Sequence, residues 1–330
     1  MFPRLPANLP SLLAMTVLGV PSVAAAGDSS VDLSGLIYAH YGYGLDEAAD
    51  GYNEFDIDRV YLTAKSRLGK GFSARVTTDV GRTGSEDDTK IRAFLKYAYL
   101  ESKLNDEFKL RFGASGTAWT SQYDKFVGYR WVSKSLADKN KVLSTSDIGV
   151  QALGKHMDGM VSWQAGVING DGYGSPETSS TKALQGRLTV DPLSGNEDIK
   201  LPIGAFISQD VLVAEDEEGA QVVAGGVGVD TQFAMLWGEY LMRNEGDASG
   251  AGYNATVVGK IDKVANVLVR YDNFDPSTDV DDDATATIIV GVTKDIHGDF
   301  SAGLTYEQAT PEADDAEASS GIFVRMQAGF

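Results

Sequence analysis

The chain has no cysteine among its 330 residues and only three histidines, His40, His156 and His297. Without thiols there is neither a disulfide framework nor thiol chemistry, and three separated imidazoles are more often polar surface groups than catalysts. No G-x-S-x-G, Walker A or H-E-x-x-H string occurs, so no enzyme class is favoured and no metal or other cofactor is expected. Basic residues are scarce too: 28 Lys and Arg face 47 Asp and Glu, a net charge of −19. No nucleic-acid partner is expected of so acidic a chain. Beyond residue 26 no apolar run is long enough for a membrane helix, which needs about 20 residues. That test does not see β-strands, which cross a bilayer in about ten half-apolar residues.

What is present begins with MFPRLPANLPSLLAMTVLGVPSVAAAG. An early Arg4, an apolar run over 12–20 and small residues at Ala24 and Ala26 predict a secretory signal at 1–26, cleaved after Ala26. Pro10 and Pro21 interrupt the run and argue against a membrane anchor. Cleavage would remove Arg4 alone from the charged residues, leaving 27 of the 28 basic side chains against 47 acidic ones. An exported chain of this length with no disulfide must be held by something larger than a stapled small core.

Sixteen segments of alternating apolar and polar residues follow within 27–330, at about 31–43, 54–69, 71–83, 90–104, 106–116, 147–155, 160–169, 182–191, 200–209, 220–230, 232–243, 250–262, 264–274, 284–295, 300–309 and 319–330. In FSARVTTDVG, Phe72, Ala74, Val76, Thr78 and Val80 face one way, and Ser73, Arg75, Thr77 and Asp79 the other. The connections alternate between short (GKG, LND, KHMDG, DTQ, IDKV, DIHGD, with PLSGNED somewhat longer) and long (LDEAADGYN, GSEDDT, GDGYGSPETSST, VLVAEDEEGA, NEGDASG, DPSTDVDDD, ATPEADDAEAS). A soluble sandwich has no reason to sort loops by length onto two ends. The expected fold is all-β: a 16-stranded antiparallel transmembrane β-barrel with short periplasmic turns and long external loops. The last segment, ending on Phe330, then turns its apolar face to lipid. Tyr97, Tyr99, Tyr240, Tyr253, Tyr271 and Tyr306 sit toward strand ends, where an interfacial girdle belongs.

A barrel of this size leaves a water-filled lumen, so the inward face should be polar. The parity opposite the lipid face places Arg59, Lys65, Arg67, Arg75, Arg92, Lys96, Lys109, Arg111 and Lys155 inside, opposed by Asp79 alone on those strands. Arg187, Arg243, Lys260, Arg270 and Arg325 follow in the second half, with the acids Glu239, Asp272 and Glu307. The third external connection, over 117–146, is TAWTSQYDKFVGYRWVSKSLADKNKVLSTS. Its aromatics give it enough apolar surface to pack, and folded inward it would carry Lys125, Arg130, Lys134, Lys139 and Lys141, against Asp124 and Asp138, to a constriction. The other external loops form an acidic crown: Asp46, Glu47, Asp50, Glu86, Asp87, Asp88, Glu215, Asp216, Glu217, Glu218, Asp281, Asp282, Asp283, Asp314 and Asp315. That crown is open to three readings: it binds divalent ions shared with lipopolysaccharide, it repels anions, or it solvates the surface. DVDDDATATIIV starts like a calcium loop but has Ala284 and Val290 where the turn glycine and bidentate Glu belong, so no metal site is expected there.

The segments FDIDRVYLTAKSRLGKGFSARVTTDV, YLESKLNDEFKLRFGASGTAW and STSDIGVQALGKHMDGMVSWQAGVINGDGYG resemble the phosphate-selective porin O/P family of Gram-negative outer membranes. The resemblance implies 16 strands, a usual trimer, a third loop folded inward and passage of anions or small solutes. It also implies that Phe330 is a signal read by the barrel-assembly machinery. Arg59, Arg67, Arg75, Arg92 and Arg111 are the candidates for an arginine ladder, while the acidic crown departs from what a dedicated phosphate collector would show. The expected function is passive diffusion of small hydrophilic solutes with a preference for anions such as phosphate. The alternatives are a plugged structural or adhesive barrel and a cation-preferring channel governed by the acidic loops.

Overall fold

The computed structural model describes residues 30–82, 90–175, 180–213, 218–262 and 264–330. The expected signal segment and the crown residues Glu86, Asp87, Asp88, Glu215, Asp216 and Glu217 lie outside them. Sixteen long strands run in chain order: β1 Val31–Gly44, β2 Asn53–Gly69, β3 Phe72–Arg82, β4 Ile91–Lys103, β5 Phe108–Gly116, β6 Ser146–His156, β7 Val161–Ile168, β8 Lys182–Val190, β9 Ile203–Val211, β10 Ala220–Thr231, β11 Ala234–Glu245, β12 Ala248–Ile261, β13 Ala265–Asp275, β14 Thr285–His297, β15 Phe300–Pro311 and β16 Ser319–Gly329. Each pairs antiparallel with its neighbours, and β1 pairs with both β2 and β16, so the sheet closes without an edge. At the seam the Gly35 amide donates to the Phe330 carbonyl (2.7 Å) and the Phe330 amide to Gly35 (3.0 Å). The terminal ring lies against β1 where a Cβ on Gly35 would come within 2.1 Å of it, so any larger residue there would push the Phe330 ring aside.

Period-two alternation fixes the two faces. Phe55, Leu62, Val76, Leu95, Phe112, Val150, Ile207, Val257 and Leu304 stand exposed on the outer wall, the apolar band that a bilayer requires. Tyr240, Tyr253 and Tyr271 point outward as well, 37–50% exposed.

Three expectations need correction. The connection NEGDASG is a two-residue turn, because Glu245 pairs directly with Ala248; Gly246, at φ +58°, opens it. The ninth strand starts at Ile203, with a separate two-residue pairing at Ile199–Lys200, because Pro202 between them has no amide to donate. Tyr97 and Tyr99 do not join a lipid girdle. On β4, Leu95 pairs with Thr78 and Tyr97 with Thr77, leaving Lys96 as a bulge. The extra residue reverses the parity, so Lys96 and Tyr97 both turn inward, followed by Tyr99 and Glu101.

Inside the barrel lies the connection over 117–145, with helix α1 at Ala118–Val127 and the short α2 at Leu136–Lys139. It packs on β8–β15, whose inner face is much more apolar than parity counting suggested. Phe206, Val222, Ala224, Met235, Trp237, Leu241, Val258, Leu268 and Ile289 are buried there against Trp119, Tyr123, Trp131 and Leu136.

Candidate functional site

Helix α1 forms because Trp119, Tyr123 and Val127 recur every four residues and present one apolar stripe to the wall. Gly128, at φ +74°, ends it and returns its amide to Asp124 (3.2 Å). The stripe is fixed at its polar points as well. Trp119 Nε1–H donates to Glu239 (3.0 Å), and Arg270 donates to the Tyr123 hydroxyl (2.8 Å) while gripping Asp272 at 2.8–3.0 Å. Trp237 collects the rings of Phe126, Tyr123 and Trp119 at 5.4, 6.0 and 6.3 Å. Gln122 accepts from Arg187 and Thr189.

The segment therefore covers one side of the lumen and stands off from most of β1–β5, the bare wall, where Tyr38 and Tyr61 still reach its apolar cluster. Between it and that wall lie two cavities. One, of 650 Å³, faces the short-turn end and includes Tyr61, Arg75, Lys96, Tyr97 and Asp124. The other, of 500 Å³, faces the long-loop end and includes His40, Asp58, Arg59, Lys134, Lys139 and Arg325. Arg130 lines both, which puts the constriction beside it. Its guanidinium forks onto Asp124 (3.0 Å) and Asp138 (2.7 Å).

The expected lining residues sort into distinct environments. Arg59 holds Asp79 at 2.6 Å. Lys96 is 3% exposed, donates to the Tyr61 hydroxyl (3.2 Å) and lies over the rings of Tyr61, Tyr173 and Tyr97 at 4.9, 5.3 and 5.8 Å. Arg75 bonds the Thr77 hydroxyl (3.0 Å) and covers Tyr97 at 4.4 Å. Arg111 covers Tyr99 at 4.9 Å and shares Glu101 with Lys109, at 2.7 and 3.1 Å. Asp79 is thus not the lone acid on this wall; the Lys96 bulge brings Glu101 inside as well. Lys65 and Arg67 stand exposed toward the short-turn end of β2, Lys155 likewise on β6, and Arg92 is exposed at the long-loop end of β4. Lys125 and Lys134 are exposed on the inward segment, and neither makes an ion pair among the described residues. Lys139 reaches Thr287 (3.1 Å), Glu307 (3.8 Å) and Asp272 (3.9 Å). Arg325 pairs with Glu307 (2.7 Å), Lys260 with Asp230 and Arg243 with Glu245.

Desolvation inside the barrel lowers the Lys134 ammonium from its ordinary value, with Arg59 and Arg130 acting the same way against the pull of Asp138. No His, Cys, Asp or Glu group among the described residues is arranged to hold a metal ion. Sequence reading passed over Tyr61, Tyr97 and Tyr173 as lumen residues. The available signal was that each lies on the inward parity or in a loop beside it, once the bulge is allowed for.

The model of the family described as phosphate-selective porin O and P matches residues 37–205. A search of curated protein sequences finds no match. Among solved structures, OmpT of Vibrio cholerae is similar at TM-score 0.64 and 11% identity, covering 93% of this chain and 99% of that one. An anion-selective porin from Comamonas acidovorans is similar at 0.63 and 15%, covering 92% and 100%. Salmonella typhi OmpF, in complex with daunomycin, is similar at 0.68 and 9%, covering 92% and 98%.

Proposed function

The chain belongs to the phosphate-selective porin O and P family, and from that premise we propose that its channel prefers anions. It is an outer-membrane channel and not an enzyme; the selectivity is what the geometry must supply. One observation carries the reading. At the constriction Asp79 is held by Arg59, and Asp124 and Asp138 by Arg130, and Asp58 lies on His40 (3.0 Å), whereas Arg75 and Lys134 line the cavities with no carboxylate partner among the described residues. The fixed charge facing the narrowest part of the path is therefore positive.

Such charge lowers the electrostatic barrier to an anion without binding it so tightly that flow stops. Lys96 acts through the tyrosines that cover it; Arg75 and Lys134 can touch the solute. Arg59, Arg130, Lys109 and Arg111 hold the wall in shape, and Lys65, Arg67, Arg92 and Lys125 add to the field along the approach. As part of the same reading, 1–26 is an export signal, the barrel-assembly machinery reads Phe330, three copies associate, and lipopolysaccharide surrounds the external loops. Small anions such as phosphate are the solutes.

The test is the reversal potential of the purified protein in a planar bilayer under a potassium chloride gradient. Reversal toward the chloride potential supports the proposal. Reversal toward the potassium potential overturns it in favour of control by the acidic loops, a second reading that rests on the net charge of −19.

A further inference from the structure

The cations of the bare wall share an arrangement that phosphate does not call for. Three of them sit on tyrosines: Lys96 over Tyr61, Arg75 over Tyr97 and Arg111 over Tyr99. The register makes this a staircase, since Thr77 pairs with Tyr97, Arg75 with Tyr99 and Glu101 with Arg111. Arg75 and Arg111 each reach diagonally onto the ring beside their own row, while Lys96 reaches across β3 to Tyr61 on β2. A guanidinium lying flat on a ring keeps one face and its terminal N–H groups free for something planar. Arg75 spends its Nε–H on Thr77 (3.0 Å), and its terminal nitrogens have no acceptor among the described residues.

The 650 Å³ cavity on which Arg75, Tyr61 and Tyr97 open is also lined by Asp124, Asp295 and Asp299. A doubly charged tetrahedral oxyanion would meet those carboxylates at close range with only one accessible, uncommitted guanidinium to offset them. A single negative charge carried on a flat ring fits better: the carboxylate takes the edge of Arg75, and the ring takes the Tyr61 and Tyr97 surfaces. Room is ample, because about 150 Å³ suffices to hold benzene.

Resting on the anion reading above, we propose that the Arg75, Tyr97 and Tyr61 wall is a recognition site for planar aromatic monocarboxylates. The Arg75 guanidinium supplies the charge, and the tyrosine faces supply the preference for an unsaturated ring over a saturated one.

The experiment follows the potassium chloride current of single channels while benzoate, cyclohexanecarboxylate or phosphate is titrated in. Benzoate and cyclohexanecarboxylate share charge and approximate size and differ in the π face, so the half-blocking concentration of benzoate should be lower by roughly three- to tenfold. Phosphate should block least. Tyr97→Leu should remove most of the benzoate advantage and Tyr97→Phe should keep it; if Tyr97→Leu does not fold, the wild-type comparison of the two carboxylates decides alone. Equal block by both carboxylates, or tighter block by phosphate than by benzoate, overturns the proposal while a chloride-directed reversal potential leaves the anion channel standing. A potassium-directed reversal potential overturns both, and is read in potassium chloride before any organic anion is added.

Discussion

The two halves of the inner wall obey the same alternation and do opposite things. On β8–β15 the inward residues include Phe206, Trp237, Leu241, Val258 and Ile289, all buried beneath α1 and α2. Some charges among them are closed into local pairs such as Arg270 with Asp272, and Glu239 and Arg187 are held by the segment's own Trp119 and Gln122. On β1–β5 the inward residues are Arg59, Tyr61, Thr63, Arg75, Asp79, Lys96 and Tyr97, and the two cavities open on most of them. Pointing inward is therefore not the same as facing solute. A wall that must seat a folded loop has to be apolar where the loop lies, because each buried large side chain contributes about 1.5–3 kcal/mol and an unpaired polar group there costs about 1–3 kcal/mol.

The largest expected effect comes from breaking the covered half. Trp119→Ala removes the centre of the aromatic cluster and strands the buried Glu239 carboxylate. The cavity costs about 3–5 kcal/mol, and the unpaired acid adds about 1–3 kcal/mol. Denaturation should show a loss of that order, and single channels should show higher, noisier conductance as the segment leaves the wall. Trp119→Phe separates the terms, keeping most of the packing and losing only the hydrogen bond.

Next in size is the junction of the two halves. Arg130→Gln removes one positive charge and leaves Asp124 and Asp138 without their fork, so the local charge changes from −1 to −2. The reversal potential should move toward potassium. Neutralising both acids as Asp124→Asn with Asp138→Asn should move it toward chloride, because Arg130 is then uncompensated. Opposite shifts from the two variants are the check; shifts of the same sign would mean that the fork acts only by shaping the loop.

The bare half was easier to read from sequence than the covered half, for physical reasons. Sixteen strands and their faces follow from period two because lipid and water enforce it on every strand. Arg59, Arg75 and Arg111 were legible as inward residues for the same reason. Glu101, Tyr97 and Tyr99 were misplaced because one residue, Lys96, bulges out of register, and nothing local to AFLKYAYL announces a bulge. The apolar inner face of β9–β14 was misjudged because parity identifies a face and not what covers it. That cover depends on contacts such as Trp119 with Glu239, 120 positions apart. Arg130 was read as one of five constriction cations set against Asp124 and Asp138, and only the fold decides that both acids meet Arg130.

A smaller effect should come from Lys134, which lines the outer cavity beside Lys139 but, unlike it, makes no ion pair among the described residues. Lys134 has its ammonium lowered from the ordinary value, chiefly by desolvation, so it loses its charge at lower pH than a free lysine would. The sign follows directly: below that point the charge is present and favours anions, and as pH rises through it the favour is lost. Wild-type reversal potentials should drift toward potassium on the alkaline side, and Lys134→Gln should start closer to potassium and drift less. Identical alkaline drift in both would assign the titration elsewhere.

The smallest effect separates the constriction from the crown and depends on salt. Asp46, Glu47, Asp50, Asp281, Asp282, Asp314 and Asp315 lie in the external loops. Their field reaches a passing ion only through water. At 1 M salt it is screened within about 3 Å, at 0.1 M within about 10 Å and at 0.01 M within about 30 Å. Arg75 on the bare wall and Lys134 on the inward segment meet the solute at contact distance and are screened far less. Anion preference should thus be strongest in concentrated potassium chloride and weaken as the salt is diluted. Replacing Asp314 and Asp315 by Asn should change nothing at 1 M and recover part of the preference at 0.01 M. If the pair mattered equally at every salt concentration, those loops would have to lie in the ion path, and the bare wall would no longer control selectivity alone.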